Sequence, residues 1–369
     1  MIPDLRVTAT DGAARTGTVT TPRGSFGVPA FMPVGTRGAV RALDAEDLRR
    51  LGAGVVLANA YHLMLRPGAA TVAALGGLHR FTGWDGHLLT DSGGFQVHSL
   101  GPTVDDDGVT FRSVYDGRWV RLTPEAAVAV QEELGADIQM VLDVCTGLPA
   151  ERAELQLAVD RTAAWAARAR QTHRRRHDQA LFGIVQGGTD LDLRVDSARR
   201  TAALDFDGYG IGGLSVGEPR AAMLGAVDAV VPELPPGRLR YLMGVGDPVG
   251  LVEAVAHGVD LFDCVAPTRT ARHGTAWTAG GRLSLRAAAS ATDDRPIDDD
   301  CPCPTCRRWS RGYLRHLLLV GEPTVLRLVS LHNLAYVFGL MTDTRRAIAA
   351  GTLATLRTQV TAAWDRPPR

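Results

Sequence analysis

The strongest constraint on the fold of this chain is a series of eight short apolar runs separated by segments with helical patterns. The runs occupy residues 30–34, 54–58, 87–90, 137–142, 181–185, 208–212, 239–243 and 259–262. Near-continuous apolar strands that alternate with helices are typical of parallel strands buried on both faces. We therefore predict an α/β fold in which eight strands form a closed (β/α)8 barrel of the TIM type, with a doubly wound open sheet as the alternative.

Capping signals and periodicity place two helices between these runs. Thr123 and Pro124 are an N-cap and a first-turn proline, and the helix that follows them ends at Gly135. The segment from residue 150 to about residue 170 predicts a long amphipathic helix. Both helices lie between apolar runs, as the alternation of strand and helix requires.

Two β-hairpins are predicted outside the strand series. Residues 109–122 alternate between apolar and polar, with Asp116 and Gly117 at the turn, which predicts a β-hairpin inserted in a loop of the barrel. Insertions of this kind often cover the active face. Residues 1–20 predict a hairpin lid before the barrel, which we place at residues 21–275.

Polar residues and glycines follow the predicted strands. Because the carboxyl ends of barrel strands face one space, these residues would converge at one rim. The alternative for any single one of them is that it caps a neighbouring helix. The residues at the strand ends are Asn59, Asp91, Asp143, Gln186, Gly212, Gly213, Gly244 and Asp263.

These groups suit a flat ligand that forms hydrogen bonds along one edge, such as guanine. Asp143 can accept two parallel N–H bonds, and Gln186 with the amides near Gly213 can bind a carbonyl oxygen. Phe95 and Met243 can sandwich a ring between them. The rim therefore offers both edge recognition and stacking to a purine.

Asp91 and Asp263 remain for chemistry. Two carboxylates that flank a glycosidic bond supply a nucleophile and a general acid/base. All 40 basic residues are arginine, which excludes Schiff-base and catalytic-lysine chemistry. The residues alone therefore predict an enzyme that acts on a glycosidic or purine substrate.

Three crowded cysteines, Cys301, Cys303 and Cys306, predict a metal site. Their softness and spacing suit zinc, and a fourth ligand from His316 or His332 would close the shell, as in a structural site. The alternative is a cluster of redox-active or reactive thiols. We assign residues 276–345 to a zinc-binding subdomain and residues 346–369 to a C-terminal helix and tail.

Composition limits the expected location and partners. We find no apolar run that approaches the length of a membrane span, and the N-terminus has no basic-then-apolar signal pattern. We therefore expect a cytoplasmic protein without a membrane partner. The formal net charge is +0, so the field of the whole molecule gives no indication of a polyanionic partner.

Taken together, the motifs resemble the tRNA-guanine transglycosylases (the queuine tRNA-ribosyltransferase family), specifically the bacterial kind that acts in queuosine biosynthesis. The resemblance extends from about residue 6 to about residue 361. It implies a (β/α)8 barrel with a zinc subdomain, in agreement with the prediction from the residues. The segments that carry it are residues 31–36 (FMPVGT), 59–63 (NAYHL), 89–97 (LTDSGGFQV), 183–187 (GIVQG), 212–218 (GGLSVGE), 241–246 (YLMGVG), 262–269 (FDCVAPTR) and 331–334 (LHNL), with the cysteine cluster.

The resemblance implies a reaction in which guanine at the wobble position of G-U-N anticodons is exchanged for 7-aminomethyl-7-deazaguanine. Asp263 is the expected nucleophile, which attacks C1′ and forms a covalent ribosyl-enzyme. Asp91 is the expected general acid/base on the leaving and entering bases. The tRNA anticodon loop is the expected partner, because an unpaired base there is flipped out at low cost.

The resemblance also implies a base pocket on the barrel rim. Leu214 and Glu218 match positions that adapt the pocket to the aminomethyl group. Cys145 and Val216 follow the bacterial pattern, which favours this base over bulkier queuine. The expected substrate-binding residues are Phe95, Asp143, Gln186, Gly213, Leu214, Glu218 and Met243.

Metal, RNA and subunit contacts follow from the same resemblance. His332 rather than His316 matches the fourth ligand of a structural zinc ion, one per subunit, beside the three cysteines. Arg269 and Arg272 match positions near the anticodon nucleotides. A homodimer is expected, in which one subunit catalyses while the other helps to hold the tRNA.

The chain departs from the family in its RNA-facing charge. Where relatives carry lysines that would meet tRNA phosphates, this chain has residues 287–291 (AAASA) followed by Asp293 and Asp294. Asp247 also replaces a usual lysine, and Ser215 stands where alanine is usual. Fewer cations predict weaker and less salt-sensitive RNA binding.

Three other functions are the alternatives. The first is a related enzyme that inserts a deazaguanine into another nucleic acid, or an archaeal-type enzyme, and the bacterial-style pocket argues against both. A non-catalytic partner subunit would lack the nucleophile, whereas Asp263 is present. A zinc-dependent barrel hydrolase would need an open metal site at the strand ends.

Overall fold

Sixteen β-strands form one closed barrel and three small antiparallel sheets in the computed structural model, which describes residues 3–98 and 100–365. The strands are β1 (Asp4–Asp11), β2 (Ala14–Thr21), β3 (Gly24–Val28), β4 (Ala30–Gly35), β5 (Val55–Ala58), β6 (His87–Thr90), β7 (Thr103–Asp105), β8 (Gly108–Arg112), β9 (Trp119–Leu122), β10 (Ile138–Met140), β11 (Ala180–Val185), β12 (Gly208–Ile211), β13 (Leu239–Leu242), β14 (Leu261–Cys264), β15 (Thr275–Thr278) and β16 (Gly281–Ser284).

The barrel contains eight parallel strands in the order β4, β5, β6, β10, β11, β12, β13 and β14. Strand β14 pairs with β4, and β6 pairs with β10 through Leu89 opposite Ile138, so the sheet has no open edge. Every residue of β6 and β11 is buried, as expected for strands covered on both faces. The predicted barrel is confirmed, and the doubly wound open sheet was the wrong alternative.

Helices connect the strands and extend into the C-terminal region. Thr123 accepts a bond from the Ala126 amide at the start of α6, and Gly135 ends this helix at φ 77°, as predicted. The long helix expected from residue 150 is α7. The helices are α1 (Ala45–Leu51), α2 (Ala60–Leu65), α3 (Ala69–Ala74), α4 (Gly77–Thr82), α5 (Gly94–His98), α6 (Pro124–Leu134), α7 (Arg152–Thr172), α8 (Leu191–Ala202), α9 (Arg220–Val230), α10 (Pro248–Ala256), α11 (Ala266–Arg272), α12 (Arg311–Val320), α13 (Thr324–Ala350) and α14 (Leu353–Trp364).

The first three strands form a sheet that covers the amino-terminal end of the barrel. Strands β1 and β2 are the predicted hairpin, and β3 adds a third strand to it. Arg15 on β2 donates to both carboxylate oxygens of Asp260, at 2.8 and 2.6 Å, directly before β14. Thr21 Oγ1 lies 2.8 Å from Nε2 of His87, the first residue of β6. The lid therefore lies opposite the rim where the strands end.

The predicted insertion after β6 is also a three-stranded sheet. Strands β8 and β9 form the expected hairpin, with Val109 opposite Leu122, and β7 pairs with β8 as a third strand. The turn is ordered by its own hydrogen bonds, in which the Tyr115 amide donates to Ser113 Oγ at 3.2 Å. This turn projects from the carboxyl-terminal side of the barrel, because it contacts helix α2, which follows β5.

Helix α13 belongs to two hydrophobic cores. It contributes Val325 and Leu328 to a small C-terminal core with α12, and Leu334 and Ile348 to the core around the barrel. The helix is continuous from residue 324 to residue 350. The boundary expected between residues 345 and 346 falls inside this helix, and the apolar face that holds the helix against the barrel extends beyond it.

By length and composition alone, α13 is the one helix among the described residues that could cross a membrane. The statement from sequence that no run approaches this length overlooked it. In the fold, 61% of its most apolar window is buried within the protein, as in the core helix of a globular domain.

Candidate active site

The structure brings the residues at the strand ends to one rim. Asp91 follows β6, Asp143 follows the adjacent strand β10, and Gln186 follows the next strand, β11. Gly212 and Met243 follow β12 and β13, and Asp263 lies in β14. The carboxylates, side-chain amides and glycines predicted at the strand ends therefore meet at the carboxyl-terminal rim.

Among the residues that the structure describes, Asp263 is held through one of its two carboxylate oxygens. Tyr241 Oη donates to Oδ1 at 2.6 Å, and the Gly244 amide donates to the same atom at 2.8 Å. Among the described residues, Oδ2 has no recorded donor. Burial raises the pKa of Asp263, and these two bonds oppose that shift. The carboxylate is fixed in orientation with one oxygen available to a ligand.

Asp91 is buried and held by the start of α2. The Ala60 amide donates to Oδ1 at 2.9 Å, and the Asn59 side-chain amide donates to Oδ2. Burial, together with a smaller effect from the charge of Asp263, raises the pKa of Asp91 to about 6 despite these bonds. A carboxyl group that titrates near neutral pH can both deliver and accept a proton.

Asp143 and Gln186 form a buried pair. Gln186 Nε2 donates to Asp143 Oδ2 at 2.6 Å, and burial raises the pKa of Asp143 to about 6. A Cβ atom on Gly94 would lie 2.8 Å from Asp143 Oδ1, and one on Gly213 would overlap Gln186 Oε1. Both glycines are therefore required for the backbone to approach this pair.

The remaining predicted pocket residues surround that pair. Phe95 on α5 is 57% exposed, so one face of its ring is available for stacking. The sulfur of Met243 lies beside Gly212, 3.5 Å from where a Cβ would stand. Leu214 is buried. The Glu218 carboxylate accepts bonds from the amides of Ser215 and, at 3.0 Å, Val216, the two residues that follow Leu214. Cys145 is a buried free thiol whose pKa burial raises to about 12, so it is an unreactive wall residue.

Arg194 is a residue of the site that sequence reasoning missed. Its guanidinium is fully buried and donates to four main-chain carbonyls, those of Val185, Gly188, Gly212 and Gly213, at 2.7–3.2 Å. No ion pair to Arg194 is recorded among the described residues, and burial lowers its pKa to about 9. On sequence alone, an arginine in α8 is indistinguishable from a solvated one. It joins the loop that carries Gln186 to the loop that carries Gly213.

Replacing Arg194 by Met should destabilise the protein by about 3 kcal/mol, because buried carbonyls lose their donors. Urea denaturation measures this change. Arg199→Met is the control on the same helix, since Arg199 is exposed in a surface ion pair with Glu233, and it should cost less than about 1 kcal/mol. Equal effects of the two substitutions would contradict a structural role for the buried guanidinium.

The four predicted metal ligands form one cluster. The ligand atoms of Cys301, Cys303, Cys306 and His332 lie within 4.8 Å of one another. His332 Nδ1 lies 3.2 Å from Cys306 Sγ, while its Nε2 lies 2.8 Å from the carbonyl oxygen of Trp277, which orients Nδ1 toward the thiols. The set fits a tetrahedral metal ion, and His316 on α12 is not part of it.

Asn333, the neighbour of His332, connects this cluster to the rim. Its side-chain Nδ2 donates to the carbonyl of Pro267 at 2.9 Å, and its Oδ1 accepts from the Trp277 amide at 2.9 Å. Pro267 lies in α11, the helix directly after Asp263. The metal cluster thus supports the segment that follows the candidate nucleophile without contributing an atom to the pocket.

The predicted RNA-facing arginines lie on α11. Arg269 is exposed, and Arg272 is half-buried near Arg269 and Arg41; burial and these two charges lower its pKa. Asp293, one of the acidic departures, pairs with Arg295 and Arg311, and its side chain is only 12% exposed. These contacts make Asp293 a structural residue.

Asp247, the other acidic departure, is also partly neutralised. It caps α10 by accepting a bond from the Gly250 amide at 2.9 Å, and it pairs with Arg220 at 2.8 Å. Its position at a helix N-terminus is one where a carboxylate is favourable.

Comparisons with known proteins agree with this architecture. A family model described as Queuine tRNA-ribosyltransferase matches residues 10–366. A protein of that name from Symbiobacterium thermophilum is 52% identical over 354 residues, covering 95% of this chain and 88% of the relative. Those from Desulforudis audaxviator and Rhizobium meliloti are 51% and 48% identical, covering 96% and 98% of this chain and 96% and 97% of the relatives.

Proposed function

Because the chain belongs to the queuine tRNA-ribosyltransferase family and is therefore a tRNA-guanine transglycosylase, we propose that it acts on the wobble guanine of tRNAs with a G-U-N anticodon. The incoming base is 7-aminomethyl-7-deazaguanine, and the pathway is queuosine biosynthesis. The observation that carries this proposal is the pair Asp91 and Asp263 at one rim, beside the buried Asp143–Gln186 pair.

In the first displacement, Asp263 Oδ2 attacks C1′ of the guanosine and the bond from C1′ to N9 breaks. The bonding electrons leave with guanine, which takes a proton from Asp91. This leaves a ribosyl ester on Asp263 and an ionised Asp91. The free lone pairs of Oδ2, opposite the two bonds at Oδ1, support this role.

In the second displacement, the deazaguanine replaces guanine and loses a proton to Asp91 as its nitrogen attacks C1′. The ester bond from C1′ to Asp263 breaks as this new bond forms, and its electrons return to the Asp263 carboxylate, so two inversions give net retention. A pKa of about 6 suits Asp91 to both proton transfers.

Base recognition uses the buried pair. The Asp143 carboxylate accepts the N–H groups of the guanine edge, and Gln186 with the Gly213 amide binds the carbonyl oxygen. The exposed ring of Phe95 and the sulfur of Met243 stack on the base. Leu214 and Glu218 lie where the 7-substituent would extend.

The ion at the Cys3His cluster is zinc, one per subunit, in a structural role. Thiolate and imidazole ligands with no oxygen donor favour zinc over harder cations. A homodimer is consistent with three exposed side chains on α12, those of Tyr313, Leu319 and Val320, at 43%, 53% and 61% exposure. Arg269 and Arg272 contact the anticodon loop.

Incorporation of radiolabelled guanine into an unmodified G-U-N tRNA transcript tests the proposal. We expect label to enter this tRNA and to be chased out by 7-aminomethyl-7-deazaguanine. A transcript with cytidine at the wobble position should take up no label. Exchange into neither transcript by a folded protein would contradict the proposal and favour another nucleic acid, or a partner-subunit role.

A further inference from the structure

We propose that Arg37 and Arg66, held in place by Tyr115, form a phosphate clamp for the RNA backbone next to the exchanged nucleotide. The inference rests on the proposed function, because it takes tRNA as the ligand. It assigns a binding role to the loop after β4, the end of α2 and the turn of the inserted hairpin.

The three side chains form one compact group. The guanidinium carbon of Arg66 lies 5.0 Å from the centre of the Tyr115 ring, and that of Arg37 lies 5.6 Å from it. Tyr115 is itself fixed, because its hydroxyl lies 3.0 Å from His62 Nδ1. Burial and the charge of Arg37 lower the pKa of His62, which keeps this imidazole neutral. Two cations on one anchored ring are ordered before a ligand arrives.

The group lies on the candidate active-site rim. Arg37 is two residues beyond Gly35, the last residue of β4, and β4 pairs with β14 through Met32 opposite Asp263. Gly35 also pairs with Ala58, the last residue of β5. Helix α2, whose first amide donates to Asp91, begins directly after Ala58 and Asn59. Arg66 ends that helix. The clamp residues therefore follow β4 and β5, which lie between the two strands that carry the carboxylates, β14 and β6.

The charges in this group are not neutralised by the protein. Both arginines are exposed, and neither has a recorded ion pair among the described residues. Arg174 at the other end of the barrel is also exposed, and within residues 3–98 and 100–365 it has no aromatic partner. Two adjacent guanidiniums without a carboxylate leave a local positive potential suited to a phosphate.

The positive charges of Arg37 and Arg66 compensate for the basic residues that this chain lacks at positions 287–291. A chain with formal charge +0 can still bind RNA if its unpaired arginines are concentrated where the backbone passes. Arg37 follows β4, and Arg269 with Arg272 follows the adjacent strand β14, which carries Asp263. An RNA loop whose target base enters the barrel would then meet arginines that follow two neighbouring strands of the rim.

The test measures binding of a synthetic anticodon stem-loop to the full-length protein at several salt concentrations. Arg37→Ala and Arg66→Ala should each weaken binding about tenfold at low salt, and each should reduce the slope of log K against log salt by about 0.7, the value for one phosphate contact on a single strand. Tyr115→Leu should weaken binding without removing charge, and Tyr115→Phe should restore most of that loss, because the ring is retained.

A neutral methylphosphonate placed at each loop linkage in turn locates the phosphate. One linkage should weaken binding to the unaltered protein while having no further effect on the Arg37→Ala/Arg66→Ala double variant. Arg174→Ala removes the same charge at the opposite end of the barrel and serves as the matched control. Variants that bind no worse than this control, or a uniform response to all linkages, would overturn the clamp.

Guanine exchange by the unaltered protein, together with guanine binding by each variant, distinguishes failure of the clamp from failure of the proposed function. If the unaltered protein binds the stem-loop and exchanges its guanine, failure of the arginine variants to weaken binding refutes the clamp alone. If the unaltered protein exchanges no guanine, the proposed function fails whatever the variants do. Retained guanine binding by each variant shows that its barrel rim is folded.

Discussion

Replacing Asp263 by Asn should reduce base exchange by at least about 10⁴-fold, the scale on which enzymes lose rate when a nucleophile is removed. The amide oxygen of Asn can still accept from the Tyr241 hydroxyl and the Gly244 amide, which bond the wild-type carboxylate at 2.6 and 2.8 Å. The side chain should therefore keep its place while losing the charge that attacks C1′.

Three measurements define this result. Radiolabelled guanine incorporation reports exchange, calorimetry reports guanine binding, and a denaturing gel reports the covalent protein–RNA complex. The variant should bind guanine and form no covalent complex. Asp247→Asn is the matched control, because it makes the same change at a helix cap whose side chain is 42% exposed. Exchange by Asp263→Asn within tenfold of the unaltered rate would assign the nucleophile to another group, with Asp91 the first to test.

Replacing Cys303 by Ala should be the most destabilising single substitution considered for this chain. Structural zinc in small domains contributes about 10–16 kcal/mol to folding, and the loss of one thiolate removes a large part of that. Three neighbouring ligands, Cys301, Cys306 and His332, would remain close together without a full shell. We expect about 5 kcal/mol or more of lost stability and zinc content well below one ion per chain.

Cys145→Ala is the control for this substitution, because Cys145 is also a buried thiol, at 7% exposure against 3% for Cys303. It should cost about 1 kcal/mol and leave the zinc content unchanged. Thermal melting and metal analysis of both variants test whether Cys303 binds a structural metal ion. Full stability of Cys303→Ala, or a protein purified without any bound metal that melts at the same temperature, would contradict a structural metal site.

Much of this site could be predicted from the sequence, because residues at the ends of parallel barrel strands lie close together at one rim. Asp91, Asp143 and Gln186 are 43 or more residues apart along the chain, yet the parallel order of β6, β10 and β11 places them side by side. The CPCPTC spacing likewise identified three metal ligands, since local spacing alone holds them together.

The remainder depends on contacts that no local pattern reports. Tyr241 lies in a short apolar strand and has the pattern of a core residue, yet its hydroxyl orients Asp263. Arg194 has the pattern of a surface residue, yet it is fully buried. The association of Arg37 with Tyr115 requires the inserted hairpin to fold back over α2, which depends on tertiary packing. Added third strands, β3 and β7, were missed because edge strands this short carry little periodicity.

Through helix α13, the C-terminal region packs against the barrel as well as contributing a metal ligand. Its first turns pack in the small core with Val325 and Leu328, and its last turns pack against the barrel through Ile348. A deletion or graft that removed the metal cluster with its helix would also expose the apolar flank of the catalytic strands. The metal-binding region and the barrel therefore share one structural element, and the metal cluster is not a detachable module of this fold.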